Sequence, residues 1–171
     1  AHYPAEFMAA LMTRRFSQIT EITKLMEECK ALKISTLGPD VNESQIGFGV
    51  NKKGEIRFGL SAIKGMGTPA AEAIVSEREK NGPYKDIFDF AERVNLANVN
   101  RKAFESLAYS GGFDGFGVMR EQFFTPNAKG ELFIDLLVRY GQRYQMDKAN
   151  AGLSLFGSDD ATVGHPPLPK T

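Results

Sequence analysis

Two glycines, Gly65 and Gly67, interrupt an otherwise helix-forming stretch at residues 57–74, RFGLSAIKGMGTPAAEAI. Because glycine adopts positive φ at little cost, the chain can reverse its direction there within very few residues. Thr68 is a candidate N-cap for the next helix, and Pro69 suits the first helical position. The stretch therefore predicts a short helix, a tight glycine hairpin and a second helix.

The predicted hairpin leaves backbone N–H groups around Gly65, Met66 and Gly67 without an intrahelical partner. The following helix directs its positive end toward the same place, where the glycines carry no side chain to cover it. Lys64 adds a cation on one side, and Thr68 flanks the turn on the other. These features predict an anion site of phosphate size that binds a nucleic-acid backbone without reading bases. For a lone Gly-x-Gly pair, an ordinary helix–helix turn is the alternative.

Segments on both sides of the hairpin make the comparison more specific. The sequence IKGMG at residues 63–67, with Ala71 four residues later, fits the helix-hairpin-helix motif of DNA-binding proteins. Three other segments surround it, in order AHYPAEFMAAL at 1–11, GPDVNES at 38–44 and GPYKDIFDF at 82–90. Together they resemble the alpha subunits of the bacterial replicative DNA polymerase III family (C-family), over about residues 1–157.

The resemblance implies a piece of a larger DNA-directed DNA polymerase, and Ala1 in place of an initiator Met agrees with this interpretation. The expected fold is mainly α with a small β hairpin or sheet. Its expected parts are the end of the helical fingers over 1–45, the β element over 46–59, a tandem helix-hairpin-helix module with a long helix over 60–157, and a linker or tail over 158–171. The catalytic palm would lie upstream, so no catalytic residue is expected in this chain.

Apolar spacing and cap residues locate the individual elements. Phe7, Met8, Leu11 and Met12 form a stripe at helical spacing that is typical of a core-facing helix. The other predicted elements are a helix from Ile19 to about Lys33, strand-like runs at 34–37, 45–50 and 55–58, helices capped by Asp86 and Asn100, and one long helix over 128–151.

Residues 109–114 repeat the helix-hairpin pattern in a degenerate form. Gly112 stands at the usual apolar position and Phe113 at the position of the second glycine, so Phe113 is expected to plug the core. We therefore expect the first hairpin to make most of the DNA contact. The weaker DNA-binding candidates are Gly111 and Gly112, Arg101 and Lys102 in the first turn of the preceding helix, and Lys52 and Lys53 at a hairpin tip, where solubility alone also explains them.

The charge balance limits the expected affinity for DNA. With 21 basic and 21 acidic residues the net charge is zero, which argues against a free-standing, strongly basic DNA binder. A net charge of zero is still compatible with a local phosphate contact through backbone dipoles. We expect this chain alone to bind DNA weakly. A protein–protein scaffold that joins polymerase domains is the alternative function, and the salt dependence of DNA binding distinguishes the two.

No residue pattern predicts a catalytic or metal site. Cys29 is the only cysteine, and His2 and His165 lie near opposite ends of the chain. No cofactor is therefore expected here, and the resemblance implies that Mg²⁺ and dNTPs are used elsewhere in the parent polymerase.

The resemblance also implies the partners and the location. These are double-stranded primer-template DNA, other domains of the alpha subunit, and the sliding clamp with other replisome subunits, in the bacterial cytoplasm at the nucleoid, with no membrane. Two alternatives stay open from the sequence. Arg14 and Arg15 either face phosphate or are solvated charges at a helix end. The Leu-Phe segment at 154–157 is either a clamp-docking peptide or, as we favour, packing at a helix end.

Overall fold

The computed structural model describes residues 5–15, 19–153 and 165–169, and this part of the chain is mainly α-helical with one small sheet. The predicted fold class is confirmed. The α-helices in the described ranges are α1 (Ala5–Arg15), α2 (Ile19–Ala31), α3 (Thr68–Asn81), α4 (Ile87–Arg93), α5 (Arg101–Ser110), α6 (Arg120–Phe124) and α7 (Phe133–Leu153). Single 3₁₀ turns occupy Leu60–Ala62 and Asp114–Phe116.

The sheet has three strands of two residues each, β1 (Thr36–Leu37), β2 (Gly49–Val50) and β3 (Ile56–Arg57). The central strand β3 pairs in parallel with β1 and antiparallel with β2. The strands are shorter than the predicted runs because the carbonyls at 45 and 46 accept hydrogen bonds from the 3₁₀ turn at Leu60–Ala62 instead of from a neighbouring strand. The hairpin between β2 and β3 was predicted correctly, with its turn at 51–54.

The N-terminal helices and the sheet share a small hydrophobic core. Met8 and Met12 of α1 pack with Cys29 of α2 and with Phe48 and Ile56 from the β element. The helix α2 ends two residues earlier than predicted, at Ala31, and the chain then turns so that the sheet can lie against α1.

Cys29 is fully buried in this core, and burial, with the charge of Glu28 adding to it, raises the pKa of its thiol. Because the thiolate is the reactive species, we expect Cys29 to resist a thiol reagent such as DTNB in the folded chain and to react after unfolding in urea. The folded state holds the proton more tightly, so the free energy of unfolding should fall as the pH rises past the pKa of the unfolded thiol. Rapid stoichiometric labelling of the native chain would contradict this burial.

A chain of phenylalanines forms the larger core between α4, α5, α6 and α7. Phe113 lies at its centre, with ring centroids 5.0 Å from Phe90 and 5.4 Å from Phe123. Phe104 and Phe133 extend the chain at 5.4 and 5.8 Å from their neighbours. All five rings are almost completely buried. The expected core position of Phe113 is confirmed.

The long helix α7 begins at Phe133, so the prediction of a helix from residue 128 was wrong. The Asn127 carboxamide oxygen accepts hydrogen bonds from the amides of Lys129 and Glu131, at 2.9 and 3.0 Å, and so closes a turn. This side-chain bonding competes with helix formation. Within α7, Gly141 allows a close crossing with α4, since a Cβ there would lie 2.6 Å from the Ala91 carbonyl oxygen.

Caps and a buried arginine hold the elements around the first glycine hairpin. The predicted caps are confirmed, since Asp86 accepts from the Asp89 amide at 2.7 Å and Asn100 accepts from the Ala103 amide at 3.0 Å. Arg78 of α3 donates to the carbonyls of residues 41 and 44 at 2.9 and 2.7 Å, which fastens the loop before β2 to this helix.

Among the described helices, none has the length and apolar character needed to cross a membrane.

Candidate nucleic-acid interface

The first hairpin, residues 63–67, reverses the chain between the 3₁₀ turn at Leu60–Ala62 and α3. Gly65 has φ of +87°, a conformation that residues with a Cβ rarely adopt. The N-cap residue of α3 is Gly67, which has an extended backbone and offers no side-chain hydrogen bond. Thr68 is the first helical residue. The prediction of Thr68 as N-cap was therefore wrong by one position, because α3 begins one residue earlier than the Thr-Pro pair suggests.

Only part of the predicted amide cradle is free. The Met66 amide donates to the Ile63 carbonyl at 3.0 Å, and the Met66 side chain is buried, so this N–H is not available to a ligand. The amides of Gly65 and Gly67 donate to no acceptor in the described part of the chain, and both residues are exposed. The first turn of α3 adds the positive end of a 14-residue helix beside them.

The first hairpin lies against α5, which brings a second set of donors to it. A Cβ on Gly65 would lie 2.7 Å from the Ser106 hydroxyl oxygen and 3.5 Å from Cε of Lys102. An open groove of about 830 Å³ follows this contact, here called the hairpin groove. It is lined by Ile63, Lys64, Gly65, Lys102, Glu105, Ser106, Tyr109 and Ser110.

The two lysines of the hairpin groove come from parts of the chain 38 residues apart, Lys64 in the first hairpin and Lys102 in α5. Both are exposed, and within the described ranges neither forms an ion pair. Ser106 was missed by the sequence reasoning. The sequence does indicate Ser106 in one way, because it lies four residues after Lys102 and so shares one face of the helix with it.

Arg101 and Lys102 are neighbours in sequence but have different roles in the structure. The Arg101 guanidinium bonds to Asp135 of α7 at 2.8 Å and to Glu105 one turn ahead. These two carboxylates raise the pKa of Arg101, and the hydrogen bond to Asp135 makes the largest contribution. A cation in the first turn of a helix opposes the helix dipole, and these two carboxylates offset that effect at Arg101. Arg101 ties α5 to α7, and Lys102 is left to face the hairpin groove.

The second hairpin, residues 111–113, uses its amides internally. The amides of Gly111 and Gly112 both donate to the Leu107 carbonyl, and the Gly112 carbonyl accepts from the Val41 amide at 3.2 Å. Both glycines are buried. The chain continues as the 3₁₀ turn at Asp114–Phe116 and then as α6, while Phe113 occupies the core. Asp114, paired with Arg120 at 2.9 Å, lies against Gly111.

The remaining basic candidates lie elsewhere. Lys52 and Lys53 are exposed at the tip of the β2–β3 turn and do not line the hairpin groove. The side chains of Arg14 and Arg15, the Leu-Phe segment at 154–157 and His2 lie outside the described residues. In the ranges that the structure describes, no group of three His, Cys, Asp or Glu side chains is placed to hold a metal ion.

Comparison with known families agrees with this geometry. A family model described as "Helix-hairpin-helix motif" matches residues 33–123, which is just over half of the chain. The chain belongs to the helix-hairpin-helix family. The match includes both hairpins, α3, α4 and α5 and ends in α6.

Three curated proteins that are similar to this chain are DNA polymerase III alpha subunits. Their similarity confirms the resemblance seen in the sequence. The subunit of Pasteurella multocida is 46% identical over 119 residues, 70% of this chain and 10% of that protein. The subunit of Haemophilus influenzae is 38% identical over 156 residues, 91% of this chain and 13% of that protein. The subunit of Escherichia coli K12 is 42% identical over 120 residues. The chain thus spans about a tenth of the length of these relatives.

Proposed function

We propose that this chain is a DNA-binding region of a replicative DNA polymerase that holds duplex DNA by its phosphate backbone. The observation that carries the proposal is the pair of exposed, unbonded amides at Gly65 and Gly67, next to two lysines without ion-pair partners in the described ranges. The helix-hairpin-helix family and the alpha-subunit relatives support it.

In the proposed complex, the two glycine amides and the positive end of α3 bind the oxygens of one phosphate. The Ser106 hydroxyl donates a further hydrogen bond, and Lys64 and Lys102 contact phosphates on either side of it. No proposed contact reaches a base edge, so binding is independent of DNA sequence. Arg101, Gly111 and Gly112 are left out of this site because their donors already have partners in the protein.

The double substitution Lys64→Ala with Lys102→Ala should weaken duplex binding and its dependence on salt. Each phosphate contact contributes close to one unit of slope in a plot of log K against log salt, so the slope should become less steep by about 2. Fluorescence anisotropy with two duplexes of unrelated sequence, from 50 to 200 mM salt, measures this. The loss should be equal for both duplexes.

Lys129→Ala is the matched control, because Lys129 is also exposed but lies in the turn before α7, outside the hairpin groove. Its salt slope should equal that of the unchanged chain. An unchanged slope in the double variant would contradict the proposed site. Absence of any salt-dependent binding would instead favour the scaffold function, in which the chain joins polymerase domains.

The polymerase reaction itself is assigned to other parts of the parent subunit. We expect the isolated chain to incorporate no nucleotide in a primer-extension assay with Mg²⁺ and dNTPs, since those ligands are proposed to bind elsewhere. Incorporation that persists through purification and is lost on heating would contradict this. Contacts with other alpha-subunit domains and the sliding clamp, in the bacterial cytoplasm, are part of the same proposal.

A further inference from the structure

Residues 165–169, HPPLP, pack against Phe88, Tyr140 and Gln122, none of which lines the hairpin groove. The sequence predicts a linker or tail here. The segment has no regular secondary structure, but its first and last residues make specific contacts. We call residues 165–169 the tail segment and the surface beneath it, formed by Phe88, Tyr140 and Gln122, the aromatic groove.

The aromatic groove binds one end of the tail segment through ring contacts. The His165 ring stacks on Phe88 with centroids 4.1 Å apart and planes 8° apart. The Tyr140 ring meets His165 edge to face at 5.2 Å. Tyr140 is itself fixed, since its hydroxyl donates to Glu92 at 2.7 Å and its ring packs edge to face with Phe88 at 5.9 Å. The groove therefore presents two held aromatic rings.

A hydrogen bond holds the other end of the tail segment, at Pro169. The Gln122 side-chain amide of α6 donates to the Pro169 carbonyl at 2.8 Å, while its oxygen accepts from the Met119 amide at 2.9 Å. The second bond orients the carboxamide, so its N–H₂ group points at the tail segment. Contacts at residues 165 and 169 span α4, α7 and α6.

The tail segment is conformationally restricted before it binds. Three of its residues are prolines, and the other two, His165 and Leu168, each precede a proline, which restricts them to extended or polyproline II backbone. Polyproline II has three residues per turn, so residues 166 and 169 share a face. Pro166 and Pro169 are half-buried, whereas His165, Pro167 and Leu168 are exposed, with the His165 ring still stacked on Phe88. The spacing of burial thus matches a polyproline II segment lying on the groove.

We propose that the aromatic groove is a recognition site for a proline-rich segment in the polyproline II conformation, and that its occupant is the tail segment of the same chain. Aromatic walls plus a donor aimed at a ligand carbonyl are the features by which proteins bind such segments. Because the prolines already restrict the backbone, little conformational entropy is lost on docking. The contact ties the tail to α4, α6 and α7.

The His165 ring signals in a ¹H–¹³C NMR spectrum of the whole chain report this docking. Stacking on Phe88 should shift the His165 ring protons upfield of their positions in a free HPPLP peptide. The chain has two histidines, so a His2→Gln variant assigns the signals. Wild-type signals at the free-peptide positions would overturn the proposal.

Two variants test the contacts without touching the core. Pro166→Ala with Pro169→Ala should move the His165 signals to the free-peptide positions, while the matched control Pro167→Ala, on the exposed side, should leave them shifted. Gln122→Glu keeps the acceptor for the Met119 amide but removes the donor to Pro169, and it should move the signals part of the way. Unchanged signals in both the double proline variant and Gln122→Glu would overturn the proposal. DNA binding should be unchanged in all of them, which separates this inference from the function proposed above.

Discussion

Gly65→Ala should reduce the affinity of the chain for duplex DNA by about tenfold, equivalent to about 1.4 kcal/mol. The residue has φ of +87°, and a left-handed backbone costs a residue with a Cβ roughly 1–2 kcal/mol. The added methyl would also lie 2.7 Å from the Ser106 hydroxyl oxygen, so the first hairpin must move away from α5. Both effects displace the free amides from Lys102 and Ser106. Fluorescence anisotropy at fixed salt measures the loss.

Gly130→Ala is the matched control for this prediction. Gly130 also has positive φ, +78°, but it lies in the turn before α7 and has open space around its Cβ position. It should lose stability to backbone strain and keep its DNA affinity. If Gly65→Ala folds, as judged by circular dichroism and its unfolding transition, and binds DNA as tightly as Gly130→Ala, then the first hairpin does not hold phosphate.

Phe113→Ala should lower the free energy of unfolding by about 3–5 kcal/mol, the usual cost of removing a buried phenylalanine ring. The side chain is 1% exposed and contacts Phe90, Phe104 and Phe123 at the centre of the larger core. Urea denaturation followed by circular dichroism measures the change. A loss of this size would show that the second hairpin serves the core of the module.

Tyr109→Ala is the comparison variant, because it removes another aromatic ring from the same region, near the C-terminal end of α5. Tyr109 stacks on Phe124 at 4.3 Å but is 59% exposed, so its removal should cost about 1 kcal/mol or less. Equal destabilisation by the two substitutions would mean that the ring of Phe113 is not the centre of the core.

Several features of the module follow from local rules and were predictable. The turn at Gly65 follows from glycine chemistry, and the starts of α4 and α5 follow from Asp86 and Asn100, whose side chains satisfy free helix amides. The core position of Phe113 followed from its replacement of a glycine in a repeated pattern. Each of these depends on contacts within a few residues, or on a repeat visible in the chain itself.

Other features could not be predicted from apolar periodicity or from glycine and proline content. The start of α7 was misplaced because the Asn127 side chain captured nearby amides, a local competition that apolar periodicity does not reveal. The Met66 amide was expected to be free, but the tight turn uses it. The docking of residues 165–169 on Phe88 and Gln122 joins positions 77 and 47 residues apart, and proline content alone predicts only an extended chain.

The sequence alone was enough to predict a mainly α-helical chain with a glycine hairpin and a degenerate second copy of it. Only the tertiary structure decided which donors meet at the hairpin, since Ser106 and Lys102 reach Gly65 through the packing of α5 on the larger core. It also decided that Arg101 faces Asp135 and away from the hairpin groove. The physical reason is that backbone turns and caps are set by neighbouring residues, whereas the direction of a helix face is set by distant apolar contacts.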